Sequence, residues 1–340
     1  MNKNKLHQNR QVTAGLKKQE KNFLSAHEFL KMVLPIGIIC LMYGVTTTLP
    51  NVYPQGYEMK FYPVFLLACL ACLIALTTSA CFVPRLRDFM VHYSYLIVFS
   101  FIVIEFLDIL TLKTGFFILP FAPSPDKILS VFPNSFGSLF DNLVASLLLL
   151  GQGVAIGMIS GFITGILIGW SKIANYWFSP LLKIIGPLPS AAWLPIAVTV
   201  MPSTRLAGVL LICIALWFPL SLMLSSAIRS TDKRKIDAAR VMGASESYIL
   251  FHVALPSAVP SIFNALFMGF CSSFTALIVA EQLGVKAGLG WYINWASGWG
   301  EYNKVFCAVG VFIIMFYLII TILFKVRDHS MKWQKSIVRW

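Results

Sequence analysis

The sequence predicts an all-α, polytopic membrane protein with about eight transmembrane helices, and three observations predict it. Hydrophobic residues make up 58% of the 340 positions and charged residues only 12%, where a soluble domain is about one quarter charged. The apolar residues form runs close to the ~20 residues that a helix needs to cross a hydrocarbon core. Lys and Arg gather in short clusters between those runs, the arrangement that keeps connecting segments in the cytoplasm. The formal charge of +13 therefore reads as membrane topology and excludes a nucleic-acid-binding face.

The first 28 residues are polar and basic (Lys3, Lys5, Arg10, Lys17, Lys18, Lys21). They read as a cytoplasmic tail before an uncleaved helix, because the polar lead is long for a secretory signal and no small-x-small cleavage site follows. Spans are expected over 30–49, 61–83, 96–118, 141–170, 187–202, 206–228, 257–281 and 304–325. The fifth carries Pro187, Pro189 and Pro195, so it is expected to be broken and packed inside protein, where irregular backbone survives at membrane depth. With eight crossings, the basic tail, Arg85 with Arg87, Lys172 with Lys183, the run Arg229–Arg240 and the tail Lys325–Arg339 all fall on one side. That places both termini in the cytoplasm. The opposite side receives Asn51–Lys60, Lys113–Asn134, the turn at Arg205 and Glu281–Tyr302, with Trp291, Tyr292, Trp295 and Trp299 expected at the headgroups.

Glu105 and Asp108 lie in the third span, where an ionised carboxylate at the centre costs on the order of 2.5–3.5 kcal/mol. Two readings stay open: a functional pair, or an Asp108 that reaches the interface. The fourth span carries Gly153, Gly157, Gly161, Gly165 and Gly169. Four-residue steps trace a smooth groove about 24 Å long on one helix face, which lets a second helix backbone approach closely. The seven cysteines sit in or beside apolar runs and read as small buried residues. Cys69 and Cys72 have no flanking charge to activate a thiol. No spacing suggests a metal site, and the histidines at 7, 27, 92, 252 and 329 form no ligand motif.

Residues 230–256 hold the most informative polar stretch. Ser230 or Thr231 is expected to cap a first short helix with Asp232 at its positive end, Ala238 and Ala239 to give it a near-bare face, and Gly243 to turn the chain. Ser245 is expected to cap a second short helix, and Pro256 to open the next span. Such a pair makes a compact helical knob at the ends of two membrane helices.

This stretch resembles the EAA loop of the binding-protein-dependent transport permease family, E-A-A, three residues, G, nine residues, I-x-L-P. Asp237-Ala238-Ala239 precedes Gly243 by three residues, and nine more lead to Val253-Ala254-Leu255-Pro256, with Asp for Glu and Val for Ile. Over roughly 96–325, Phe121-Ala122-Pro123-Ser124-Pro125, Pro187-Leu188-Pro189, Leu194-Pro195, Ala280-Glu281 and Gly288-Leu289-Gly290-Trp291 are similar to the branch that imports taurine, alkanesulfonates, nitrate or bicarbonate. The resemblance implies a tail (1–28), two extra helices (29–95), a six-helix permease core (96–326) with coupling loop 230–256, and a C-terminal tail (327–340). It also implies ATPase-coupling roles for Asp237, Ala238, Ala239, Gly243, Leu255 and Pro256. The implied partners are a second permease copy, a dimer of a cytoplasmic ATPase that carries ATP and Mg, an extracytoplasmic substrate-binding protein and lipid. The chain itself is expected to hold no cofactor. It has no G-x-x-x-x-G-K-[ST] run, so ATP hydrolysis is assigned to a separate subunit.

Ser190 and Trp193 either line a pathway or pack; Glu281 either guards an entrance or bonds a loop N–H. A thiamine-pyrimidine or other vitamin-precursor substrate is an alternative cargo. An ion-coupled secondary transporter using Glu105 or Asp108 is a rival class that leaves the 237–256 loop without a purpose. A membrane-embedded enzyme is a second rival, against which stand histidines outside the apolar centres of the spans and without ligand spacing.

Overall fold

The computed structural model describes residues 26–52, 59–186 and 188–332. Most of the basic N-terminal tail, Pro187 and the end of the C-terminal tail through Arg339 lie outside them. Among the described residues every regular element is helical. Among the described residues seven helices are long and apolar enough to cross a membrane, or up to eight if the bent pair over 172–200 is one span. The chain groups into two units, 1–130 and 131–340.

In the first unit α1 (Ala26–Thr48), α2 (Phe61–Phe82) and α3 (Pro84–Asp108) pack on one another. Met32, Ile39, Met42, Tyr62, Leu66 and Met90 form their buried core. The grouping places the third span with the first two, whereas the resemblance starts the core at residue 96. The reason is visible in the polar ties: Tyr62 donates to Glu105 at 2.8 Å, and Lys113 donates to the carbonyls of Thr46 and Leu49. The N-terminus of α2 has a distant cap, Asp126, whose Oδ1 accepts from the backbone N–H groups of Lys60, Phe61 and Tyr62. One carboxylate oxygen thus satisfies three orphan donors at the positive end of a helix. Asp108 is fully buried.

In the second unit the chain continues along α4 (Pro125–Trp170), kinked at Ser135. The glycine stripe packs against α7 (Thr204–Arg229) of the same chain: Gly153 faces Ile212, Gly157 Cys213, Gly161 Leu220, Gly165 Leu224 and Gly169 Ile228. Because both series ascend together, the two helices run parallel. The segment between them therefore returns the chain to its starting side. It does so as α5 (Lys172–Ile185), a 3₁₀ turn (Ser190–Trp193) and α6 (Leu194–Val200), bent by 96°. The broken fifth span is thus observed, but α5 is an addition to the sequence reading. Its exposed Ile173, Tyr176, Trp177, Leu181 and Ile184 recur at helical spacing as one apolar stripe.

After α7 come α8 (Lys233–Val241) and α9 (Glu246–Ile249), then a π-helical turn (Leu250–Ala254) into α10 (Leu255–Leu283). Gly208 faces Ala280, and Gly269 meets Leu216; Ser273 donates to the Ile212 carbonyl. The opposed order makes α7 and α10 antiparallel. A short helix, α11 (Leu289–Gly298), precedes α12 (Tyr302–Ser330), which packs on α10 through Phe274, Phe312 and Phe316.

Candidate functional site

The loop that joins α7 to α10 is built by local chemistry. Asp232, not Ser230 or Thr231, caps α8: its Oδ1 accepts from Arg234 N at 3.0 Å. Ser230 and Thr231 instead bond back to the Ala227 carbonyl, which leaves Asp232 as the first side chain clear of α7. At the other end of α8, Gly243 N donates to Arg240 O and Ala244 N to Ala239 O. That bond pair is a Schellman closure and needs a left-handed residue, which Gly243 supplies at φ +82°.

Ser245 caps α9 through Tyr248 N, as the spacing predicts. However, α9 is no separate helix. It runs through the π turn into α10, giving one helical path from Glu246 to Leu283. Pro256 accounts for the π turn, since it has no N–H for the His252 carbonyl four residues back.

The six residues that the resemblance assigns to coupling divide into two sets. Asp237, Ala238 and Gly243 are exposed, whereas Ala239 is buried and Leu255 and Pro256 are half-buried. The near-bare Ala face is thus half occupied, with Ala239 seating α8 on its own chain. Val241 and Met242, 89% and 81% exposed, are large apolar side chains at the tip that sequence reasoning did not single out. Their signal was position: an apolar pair immediately before a turn glycine, on a segment outside any span. Arg240 bridges Glu246 at 2.9 Å and Asp237 at 3.9 Å, bracing α8 against α9. A cleft of about 340 Å³ lies behind the loop, lined by Trp170, Arg229, Lys233, Asp237 and Arg240 among others.

At the far end of the same helices, Glu281 is fully buried. Its Oε1 accepts from Ser146 Oγ at 2.7 Å and its Oε2 from Gly290 N at 2.7 Å. Ser146 in turn accepts from Leu289 N, and Asn142 Oδ1 from Gly288 N. Gly288, at φ +119°, lies so close to Glu281 that a Cβ would collide with the carboxylate. Of the two readings of Glu281 the structure shows the bonded one: it ties α10, α4 and the start of α11 together, with no open face toward a pathway.

Ser190 and Trp193 sit half-buried in the 3₁₀ turn at the bend of the broken span. That turn packs against α7 and α10. Tyr292 is buried rather than placed at a headgroup, and burial pushes its phenol up from the ordinary value. Trp291, Trp295 and Trp299 line an open cleft of about 360 Å³ at this end. Among the described residues no group of three or more His, Cys, Asp and Glu is placed to share a metal ion.

Residues 153–333 match the family described as binding-protein-dependent transport system inner membrane component. The matched stretch contains all five glycines of the stripe, the whole joining loop and Glu281. Among curated proteins the chain is similar to the taurine transport system permease protein TauC of Escherichia coli, 27% identical over 206 residues that cover 58% of this chain and 75% of that one. It is 28% identical over 193 residues to the nitrate import permease protein NrtB of Synechocystis sp., covering 54% and 68%. It is 30% identical over 167 residues to the bicarbonate transport system permease protein CmpB of Synechococcus elongatus, covering 49% and 58%.

Proposed function

The chain belongs to the binding-protein-dependent transport system inner membrane component family, and from that premise we propose that it forms the alternating-access pathway of an importer for a small oxoanion. Membership makes it a multi-pass transport subunit and not an enzyme. The cargo class rests on the relatives, whose names specify taurine, nitrate and bicarbonate. These share a compact anionic group, sulfonate, nitrate or carbonate. A vitamin-precursor cargo is the alternative, and the ligand of the cognate binding protein, found by thermal-shift screening, separates the two.

The observation that carries the coupling reading is the exposed knob. Val241 and Met242 stand almost bare at the tip of a helix whose end is fixed by a Schellman closure. Apolar side chains held that far from water-excluding neighbours mark a contact surface. A separate ATPase that closes on ATP would seize this knob in the cytoplasm and move α7 and α10 with it, a rigid-body switch. The charge pattern supports the same side for both termini.

The test is affinity capture of the ATPase by the tagged chain. Met242→Asp and Asp237→Lys are expected to lower the captured ATPase at least tenfold at equal membrane levels of the permease. Wild-type capture by both variants would remove the knob from the contact.

A further inference from the structure

The first unit holds two carboxylates that the transport reading does not use. Glu105 and Asp108 lie three positions apart on α3, so they share a face. Both are buried, Asp108 completely. Glu105 is provided for: Oε2 accepts from the Tyr62 hydroxyl and Oε1, at 3.4 Å, from Thr46. Asp108 is not, since neither Oδ1 nor Oδ2 has a hydrogen-bond partner among the described residues.

The charges that face Asp108 are few. Glu105 comes from its own helix, Lys113 from the π turn that follows, and Asp126 from the start of α4; α2 adds the Tyr62 phenol, and from α1 the neutral Thr46 bonds Glu105. Asp126 is satisfied by three backbone N–H groups. Lys113 directs its ammonium to the carbonyls of Thr46 and Leu49. It offsets one negative charge of the Glu105–Asp108 pair at most. One unit of positive charge is therefore lacking beside a carboxylate whose oxygens are unpaired, in a setting where an isolated ionised carboxylate is prohibitively costly. The π-helical turn Ile109–Lys113 begins directly after Asp108, and such turns frequently accompany functional sites.

We propose that Asp108, backed by Glu105 and Tyr62, binds one monovalent cation, a proton or a sodium ion, inside the N-terminal helical unit. The site lies outside residues 153–333, the stretch that matches the transport family, and the inference stands independently of the cargo. Divalent ions fit poorly: a single excess negative charge calls for one positive charge, and among the described residues the acids acting on Asp108 are Glu105 and the capped Asp126.

The experiment uses the full chain in detergent, with two arms. In the first, radioactive sodium binding and thermal unfolding are followed from choline chloride into sodium chloride. In the second, difference infrared spectra over a pH series in choline chloride seek the C=O stretch of a protonated carboxyl. Wild type is expected to bind one sodium per chain with a rising melting temperature, or to show the carboxyl band without sodium binding. Asp108→Asn, close in shape and neutral, is expected to lose whichever signal wild type shows. The proposal is overturned if wild type shows neither sodium binding nor a protonated-carboxyl band, a result that needs no variant to fold. It is equally overturned if Asp108→Asn retains the wild-type signal in full.

Discussion

Replacing Gly157 with alanine tests whether α4 and α7 are held at backbone contact. The new methyl would stand 2.7 Å from the Cys213 carbonyl oxygen and 3.1 Å from Cys213 Cα. Both are main-chain atoms, so no rotamer change relieves the contact. Restoring ordinary separations of ~3.5 Å requires the helices to part by about 0.5–1 Å. Overpacking of this kind costs about 1–3 kcal/mol, and parting also loosens the Gly153 and Gly161 contacts on either side. Alanine's preference for the helical state offsets about 1 kcal/mol. Gly151, six residues away on the same helix, faces open space. Gly151→Ala therefore carries the propensity gain without the clash, and the difference between the variants isolates packing at about 1–3 kcal/mol. The assay is unfolding of the full chain in mixed micelles by added sodium dodecyl sulfate, followed by tryptophan fluorescence. Equal midpoints for the two variants would refute the reasoning, because the stripe would then be no tighter than a lipid-facing glycine.

Glu281→Ala strips the acceptor from the Ser146 hydroxyl and Gly290 N–H, so thermal unfolding should show a loss of about 2–4 kcal/mol; Glu281→Gln, which keeps one carbonyl oxygen, should lose less. Gly243→Val forces a β-branched residue to φ +82°, at ~1–2 kcal/mol of local strain. It should leave the amount of protein in the membrane fraction unchanged while lowering ATP-driven uptake, and normal uptake would count against the knob as a lever. Asp126→Ala removes the shared acceptor of three N–H groups; hydrogen exchange of the Phe61 and Tyr62 amides should speed up, and unchanged protection there would mean that water replaces the cap at no cost.

The spans were legible because crossing a bilayer demands length and apolarity, which are local properties of the chain. The glycine stripe was legible as a groove, yet its occupant was not: that Ile212, Leu220 and Leu224 fill it depends on α7 returning parallel. The knob was readable from Gly243 and Ser245, which act on their immediate neighbours. The cap at Asp232 was misread because three consecutive polar residues each have capping chemistry, and only the end of α7 decides among them. Helix α5 was overlooked although Ile173, Tyr176, Trp177, Leu181 and Ile184 carry a helical period, since Lys172 and Lys183 made the segment read as a basic cytoplasmic connection between two spans. Glu281 was singled out from its sequence context, but its partner Ser146 lies 135 positions earlier. No local pattern encodes a pair that distant, and so the choice between entrance and bracket waited on the fold.

Three fixed points in the second unit tie the knob to the other end. The knob joins α7 and α10 through a helical path with one turn glycine, and Thr231 meets Ser257 across its base at 3.2 Å. Along their length α7 is locked onto α4 by the glycine stripe and onto α10 at Gly269, whose Cβ position is already filled by Leu216. At the far end Glu281 binds α10 to Ser146 of α4 and to the Gly290 amide of α11. Helices interlocked at backbone distance do not slide by small amounts, because every intermediate register places a side chain against a main chain. If the knob is the lever we propose, a push on α8 would move the α4–α7–α10 group as one body relative to the 3₁₀ turn that holds Ser190 and Trp193. On this reasoning substitutions at that turn should alter the rate of switching more than the stability of the group.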